Sequence, residues 1–337
     1  MFPARLKISL VLLSAIALLA AGCGGDADGG ALEELGIEEP PPVCPLTGVE
    51  AQDESTLERR VLAVKIENSP EARPQIGLAE ADVVYEQEAE GGITRFNVLY
   101  HCQDSERIGP IRSARPVDPA ILEQYGDPLF VHAGSVDAVI EDVEAAGIED
   151  INCNFELEVC PRDPNFSPPH DIFTSTEALR DASKTAGSPP EEVFTFDEEA
   201  PQGKRGREIH LNFSGVANVY WRYRRNVDQY LRFHDETAHD LEDGSQVATE
   251  NVVVMVVERL TTRISDSAGN PVPNFEIVGS GDLFVFRSGK VIKGTWQRED
   301  ESASTRLVDA QGDDIALAPG QTWVELFPED APTAIEF

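Results

Sequence analysis

The hydrophobic positions of this chain fall mainly into short alternating runs bounded by Gly, Pro, Asn and Asp, the pattern of strands and turns. Residues 60–67 (RVLAVKIE) read as one strand, and 83–90 and 93–100 as two more. Gly91-Gly92 separates that pair, and glycine takes the positive φ of a two-residue hairpin turn without penalty. Apolar residues at Val136, Val139, Ile140 and Val143 have helical spacing and predict a helix over 135–146. Residues 117–125 and 175–186 also read as helices, the latter capped by Thr174 or Ser175, and 128–132 as a buried strand.

Beyond the Pro- and Glu-rich stretch 188–192 the helical pattern stops. Strands are predicted at 209–213, 219–225, 229–234, 251–260, 275–278, 283–286, 291–297, 305–308 and 321–327. The expected fold is therefore α+β. An α/β domain with a mixed sheet spans 44–190, and a β-rich domain resembling a barrel or sandwich spans 191–337. Gly294-Thr295-Trp296 and Gly320-Gln321-Thr322-Trp323 form a weak internal repeat.

Charge gathers where the strand pattern is densest. A two-residue turn would set Glu90 across from Ile93 and Glu88 across from Arg95, with Glu86, Glu88 and Glu90 on one face. Arg107, Gly109-Pro110 and Arg112-Ser113-Ala114-Arg115 follow, three guanidinium groups around a bend that Pro110 keeps from being helical. Two readings stand side by side. In one, the carboxylates and guanidiniums form an ion-pair network that fixes the bend; in the other, Arg95, Arg107, Arg112 and Arg115 bind an anionic ligand by bidentate contacts. His132 is a candidate pocket residue because it ends a strand, where α/β sheets collect ligands. Ser135 is expected to cap the following helix. Arg162 and His170, the latter beside Asp171, lie in a Pro-rich loop, and His170 is either a base or a structural residue.

The blocks RPQIGLAEADVVYE, EGGITRF and RIGPIRSARP resemble the signatures of the YerB-like lipoproteins, an extracytoplasmic family whose domains have no assigned function. The resemblance runs from about Cys44 to the C-terminus, with further blocks at Pro169-His170, Phe286 to Trp296 and Gly320 to Glu325. It implies location outside the cytoplasm and little mechanism. In that family the residue after the histidine is commonly Asn; here it is Asp171.

The N-terminus fits such an address. Arg5 and Lys7 precede an apolar run over 8–21, too short for a spanning helix but suited to export. Ala20-Ala21-Gly22-Cys23 resembles a lipobox, which implies cleavage before Cys23 and diacylglycerol on its sulfur. Residues 23–43 are acidic and poor in apolar side chains, as expected of a disordered tether. The formal net charge is −34, which excludes nucleic acid as a partner and leaves the lipid as the membrane anchor. Cys44, Cys102, Cys153 and Cys160 remain, an even number in an oxidising compartment. Cys153 with Cys160 and Cys44 with Cys102 is the favoured pairing of three possible ones.

No cofactor or metal is expected. The C-x6-C spacing suits no structural zinc site, and His234 and His239 with Asp235, Asp240 and Asp243 read as an acidic turn as readily as a cation site. Tyr220, Trp221, Tyr223, Trp296 and Trp323 could stack on sugars, although strands commonly bury such residues. Nucleophile-elbow, zincin, Walker and dinucleotide motifs are absent. The leading expectation is a lipid-anchored envelope protein binding an anionic glycan, peptide or protein. The alternatives are an envelope-polymer hydrolase, lyase or transferase using Glu86, Glu88 or Glu90 with His132 or His170, and a scaffold that docks another protein.

Overall fold

The computed structural model describes residues 41–337 apart from 267, 268 and 334; the leader, Cys23 and nearly all of the tether lie outside the described residues. Residues 42–337 form one unit. The fold is α+β, rich in sheet and poor in helix.

The first five strands of the sequence are also neighbours in space. β1 (Leu62–Glu67) pairs antiparallel with β3 (Thr94–Tyr100), which pairs with β2 (Val83–Glu88); β4 (Leu129–His132) lies parallel to β1 and β5 (Glu149–Asn152) parallel to β4. Two short helices interrupt them, α1 (Asp118–Leu122) and α2 (Asp137–Ala145), and a third, α3 (Thr176–Ala182), follows β5. Ser175 caps α3 by accepting from Ala178 N at 3.1 Å. α2 begins after Val136 without a side-chain cap. Ser135 is thus not the cap expected of it; its hydroxyl turns to the Ala114 carbonyl instead, at 3.3 Å.

The C-terminal strands divide. β7 (Glu208–Asn212), β8 (Asn218–Arg224), β9 (Gln229–His234), β10 (Thr237–Ala238) and β11 (Ala248–Thr249) make a small antiparallel sheet. β12 (Asn251–Leu260), β14 (Gly279–Arg287), β15 (Lys290–Arg298), β16 (Arg306–Asp309) and β17 (Thr322–Pro328) extend the N-terminal sheet, with β6 (Lys204–Arg205) and β13 (Asn274–Glu276) as side branches. The join is β17, which runs parallel to β2 on one side and to β12 on the other. One mixed sheet therefore runs through both halves.

Its pleat sorts side chains into two cores. Leu62, Val64 and Ile66 of β1, Phe96 and Val98 of β3 and Trp323 of β17 face the small sheet's Leu211, Trp221 and Tyr230. Ala63, Leu99, Phe130 and Val324 point the other way, against Ile121, Leu122, Val139 and Val143 of the helices. The three tryptophans are buried, and Trp221 meets Trp323 edge-on at 5.1 Å, a geometry that adds about 0.5–1.5 kcal/mol beyond area burial. Disulfides join Cys44 to Cys102 and Cys153 to Cys160.

The hairpin departs from its expected register. Its loop is the three residues Glu90, Gly91 and Gly92, closed by Ala89 N on the Ile93 carbonyl at 2.7 Å, with φ of 71° and 76° at the glycines. Glu88 consequently opposes Thr94, and Gln87 opposes Arg95. A slip of one residue exchanges faces, so Arg95 and Asn97 point away from the side chains of Glu86 and Glu88.

Candidate functional site

The arginine bend is wedged between the carboxyl ends of β1 and β4. Arg112 N donates to the Lys65 carbonyl at 2.8 Å, and Ala133 N to the Arg112 carbonyl at 2.9 Å, so residues 110–114 continue the sheet beyond the point where the two strands part. Strand ends that splay in this way are where parallel sheets commonly receive ligands.

On the helix-side face the chain concentrates charge. Lys65 and Glu67 alternate with buried Val64 and Ile66, and the register sets Asn97 across from Lys65 and Arg95 across from Glu67. The Lys65 ammonium is fully buried on Asp118 Oδ1 at 2.6 Å, and Gln87 donates to the same oxygen at 2.9 Å. Glu90, in the hairpin turn, takes a hydrogen bond from Arg115 and lies 3.6 Å from Arg95. Glu67 holds Arg112 at 3.0 Å and His170 Nδ1 at 2.7 Å.

Four cations, Lys65, Arg95, Arg112 and Arg115, thus meet three carboxylates, Glu67, Glu90 and Asp118. Burial lowers the Lys65 pKa to about 8, against the pull of Asp118, and Arg115 and Arg95 push it further the same way. Burial brings Arg95 down to about 9, with Arg115 adding repulsion. Neither amide atom of Asn97 has a hydrogen-bond partner, nor do Arg95 Nε, Gln87 Oε1 and Glu90 Oε1, although all are buried. A buried polar group left unpaired costs about 1–3 kcal/mol, and several of them share this charged cluster. Arg112, 23 % exposed at its side chain, and His170, 18 % exposed, form its outer edge.

The remaining sequence candidates disperse. Glu86 is fully buried between the two sheets on Arg232 of β9, 2.6 Å away, beside Glu325. Glu88 pairs with Arg259 at 2.8 Å. Arg107 stacks 4.4 Å above the Phe173 ring and is held by Asp163, with Glu242 at 3.3 Å. Arg162 pairs with Asp171 at 2.7 Å. His132 is fully buried between the Gly134 carbonyl and the Asp150 carboxylate, 3.0 Å from each. Ser113 stays within the bend: its hydroxyl donates to the Ala133 carbonyl, and its own carbonyl accepts from Arg95 and Arg115. The strands that carry Glu88 and His132 are separated by β3 and β1, about 14 Å at ordinary strand spacing, so those two do not form an acid–base pair. His234 and His239 contact Arg232 rather than making a cation site. Among the described residues no group of three or more His, Cys, Asp or Glu could hold a metal.

Lys65, Glu67, Gln87, Asn97 and Asp118 did not stand out in the sequence. The available signal was the alternation of Lys65 and Glu67 with apolar residues inside a strand, which puts both on one side of a buried sheet.

Family comparisons bear on most of the chain. Residues 46–189 match the model described as "Protein of unknown function (DUF3048) N-terminal domain", and 209–324 match the DUF3048 C-terminal domain. The Bacillus subtilis protein named "Putative lipoprotein YerB" is 30% identical over 296 residues, covering 85% of this chain and 86% of that protein. The crystal structure of YerB from Bacillus subtilis superposes with a TM-score of 0.74 at 26% identity, covering 88% of this chain and all of that one. None of the helices among the described residues is long and apolar enough to cross a membrane. With both domain models matched in order and a relative aligned over most of its length, the chain belongs to the DUF3048 family.

Proposed function

We propose that this protein is held outside the cytoplasm by a lipid on Cys23 and receives an anionic group of an envelope component at the Arg95, Arg112 and Arg115 cluster. The address rests on the lipobox-like Ala20-Ala21-Gly22-Cys23 and on the lipoprotein name of the Bacillus subtilis relative. Binding rests on one observation: the cluster holds one more cation than carboxylates, with Arg112 half-exposed at its rim, around a buried Asn97 amide with no partner. An incoming carboxylate or phosphate restores that balance and supplies acceptors. Bidentate guanidinium contacts suit either group. Entry is at Arg112 and His170, the two members with side-chain exposure.

Isothermal calorimetry with anionic envelope fragments, carboxylated glycan–peptides and glycerol-phosphate oligomers, tests the assignment. Arg112→Ala, at the rim, leaves the fold intact and weakens binding by about tenfold or more, equivalent to about 1.4 kcal/mol. Equal binding by wild type and Arg112→Ala rules the site out.

A further inference from the structure

A second surface lies away from the charged cluster. The Cys153–Cys160 disulfide closes a loop with a sequence separation of 7. Phe155 N and Glu156 N donate to the Asn152 carbonyl, and Val159 N and Cys160 N to that of Glu156. Both cysteines are buried, so the loop is pinned at its base and tied across its middle. It nevertheless turns Phe155 and Leu157 outward, 81% and 54% exposed. Among the described residues Phe155 and Phe337 are the exposed aromatic side chains, and Phe155 is the one set beside a second exposed apolar residue on a disulfide-pinned loop.

Beside the loop is a cavity of about 470 Å³ whose apolar wall includes Val159, Pro161 and Phe173. Arg107 and Arg162 border it, but Asp163, Glu242 and Asp171 already neutralise them. Glu106 and Glu158 on the lining, and Glu156 on the loop, enter no ion pair among the described residues. The surface is therefore apolar at its centre and negative at its edge.

We propose that this loop and cavity dock a segment of a partner protein that carries an apolar side chain next to Lys or Arg. The apolar side chain seats against Val159, Pro161 and Phe173, Phe155 and Leu157 on the adjoining loop extend the apolar contact, and the cation meets Glu106, Glu156 or Glu158. Small apolar anchors with a charged rim are the usual anatomy of such contacts. The three acids disfavour an anionic membrane as the occupant, and they would repel the same acids of a second copy.

The test is selection of random peptides displayed on phage against the full chain, followed by affinity measurement with the synthetic peptides. The expected peptides combine an aromatic or aliphatic residue with Lys or Arg. They bind at least about tenfold more weakly to the Phe155→Ser/Leu157→Ser double variant and to Glu158→Lys, and equally well to Arg112→Ala. All these substitutions are at exposed or half-exposed positions, and near-ultraviolet circular dichroism checks the fold. The proposal is overturned by peptides without a basic residue, by unchanged affinity in the double variant, or by failure to select any peptide above that variant's background. Phe155-dependent binding to phosphatidylcholine–phosphatidylglycerol vesicles, or a Phe155-dependent dimer in sedimentation, assigns the patch to lipid or to a second copy and overturns it equally.

Discussion

A single lysine shows how this sequence places charge inside a sheet. Lys65 follows Val64 on β1, so the pleat turns it into the helix-side core, where Asp118 meets it. Its pKa falls from 10.5 to about 8, so between those values the unfolded chain holds the extra proton. The contribution of this group to stability therefore rises as pH increases from 8 to 10.5. Asp118→Ala strands the ammonium and costs about 3–5 kcal/mol in urea denaturation. On the other face, burial and Arg232 hold the pKa of His239 well below 6.5. The unfolded chain takes up that proton near pH 6.5 while the folded one does not, so the His239 contribution is lost as pH falls below that value. Its Nδ1 accepts from Arg232 and its Nε2 donates to Gln75, and a glutamine amide can do both. His239→Gln should flatten the acid side of the stability profile without lowering the plateau at pH 8. An unchanged slope would remove His239 from the account. Individual polar residues of this kind are hard to read beforehand, because Lys65 and Asn97 look like ordinary strand positions until the partner layers are known.

Strands were the legible part of the sequence, and register was not. β12, β9 and β17 lie where alternation and turn residues put them. The hairpin's faces depended on whether its loop holds two residues or three, and both lengths fit Glu90-Gly91-Gly92. The third loop residue is what sends Glu90 to Arg115 and separates Arg95 from Glu86. The short helix α2 was visible in its spacing, but its first residue was not: Ser135 is used by the Ala114 carbonyl. Disulfide pairing followed sequence proximity and the need to tie down the segment at Cys44. Cys44–Cys102 has a separation of 58 and Cys153–Cys160 one of 7. In the chain-entropy view their removal costs about 4 and about 2.5 kcal/mol respectively. Thermal unfolding of the two paired Cys→Ser variants checks that order, and the reverse order would show that residual structure in the unfolded chain dominates.

For the whole molecule the decisive element is β17, drawn from the last residues yet seated between β2 and β12. Both cores take residues from each half, Phe96 with Trp221 and Trp323 on one side, Leu99 with Val324 on the other. Residues 44–190 produced alone should therefore lack cooperative unfolding, because β2 is left as an open apolar edge. Adding the segment 191–337 in trans should restore it, as read by circular dichroism. A cooperative transition in the isolated N-terminal segment would contradict this.

That joint sheet carries the charged cluster at the end of β1, and the cluster is the account's central claim. The most direct measurement is nuclear magnetic resonance of the arginine Nε–Hε groups during titration with carboxylated glycan–peptide and with glycerol-phosphate oligomer. The signals of Arg95, Arg112 and Arg115 should shift together and saturate with at least one of them, while Arg107 and Arg162 stay in place. Still signals from all three with both titrants, or movement of Arg107 and Arg162 alone, would contradict it.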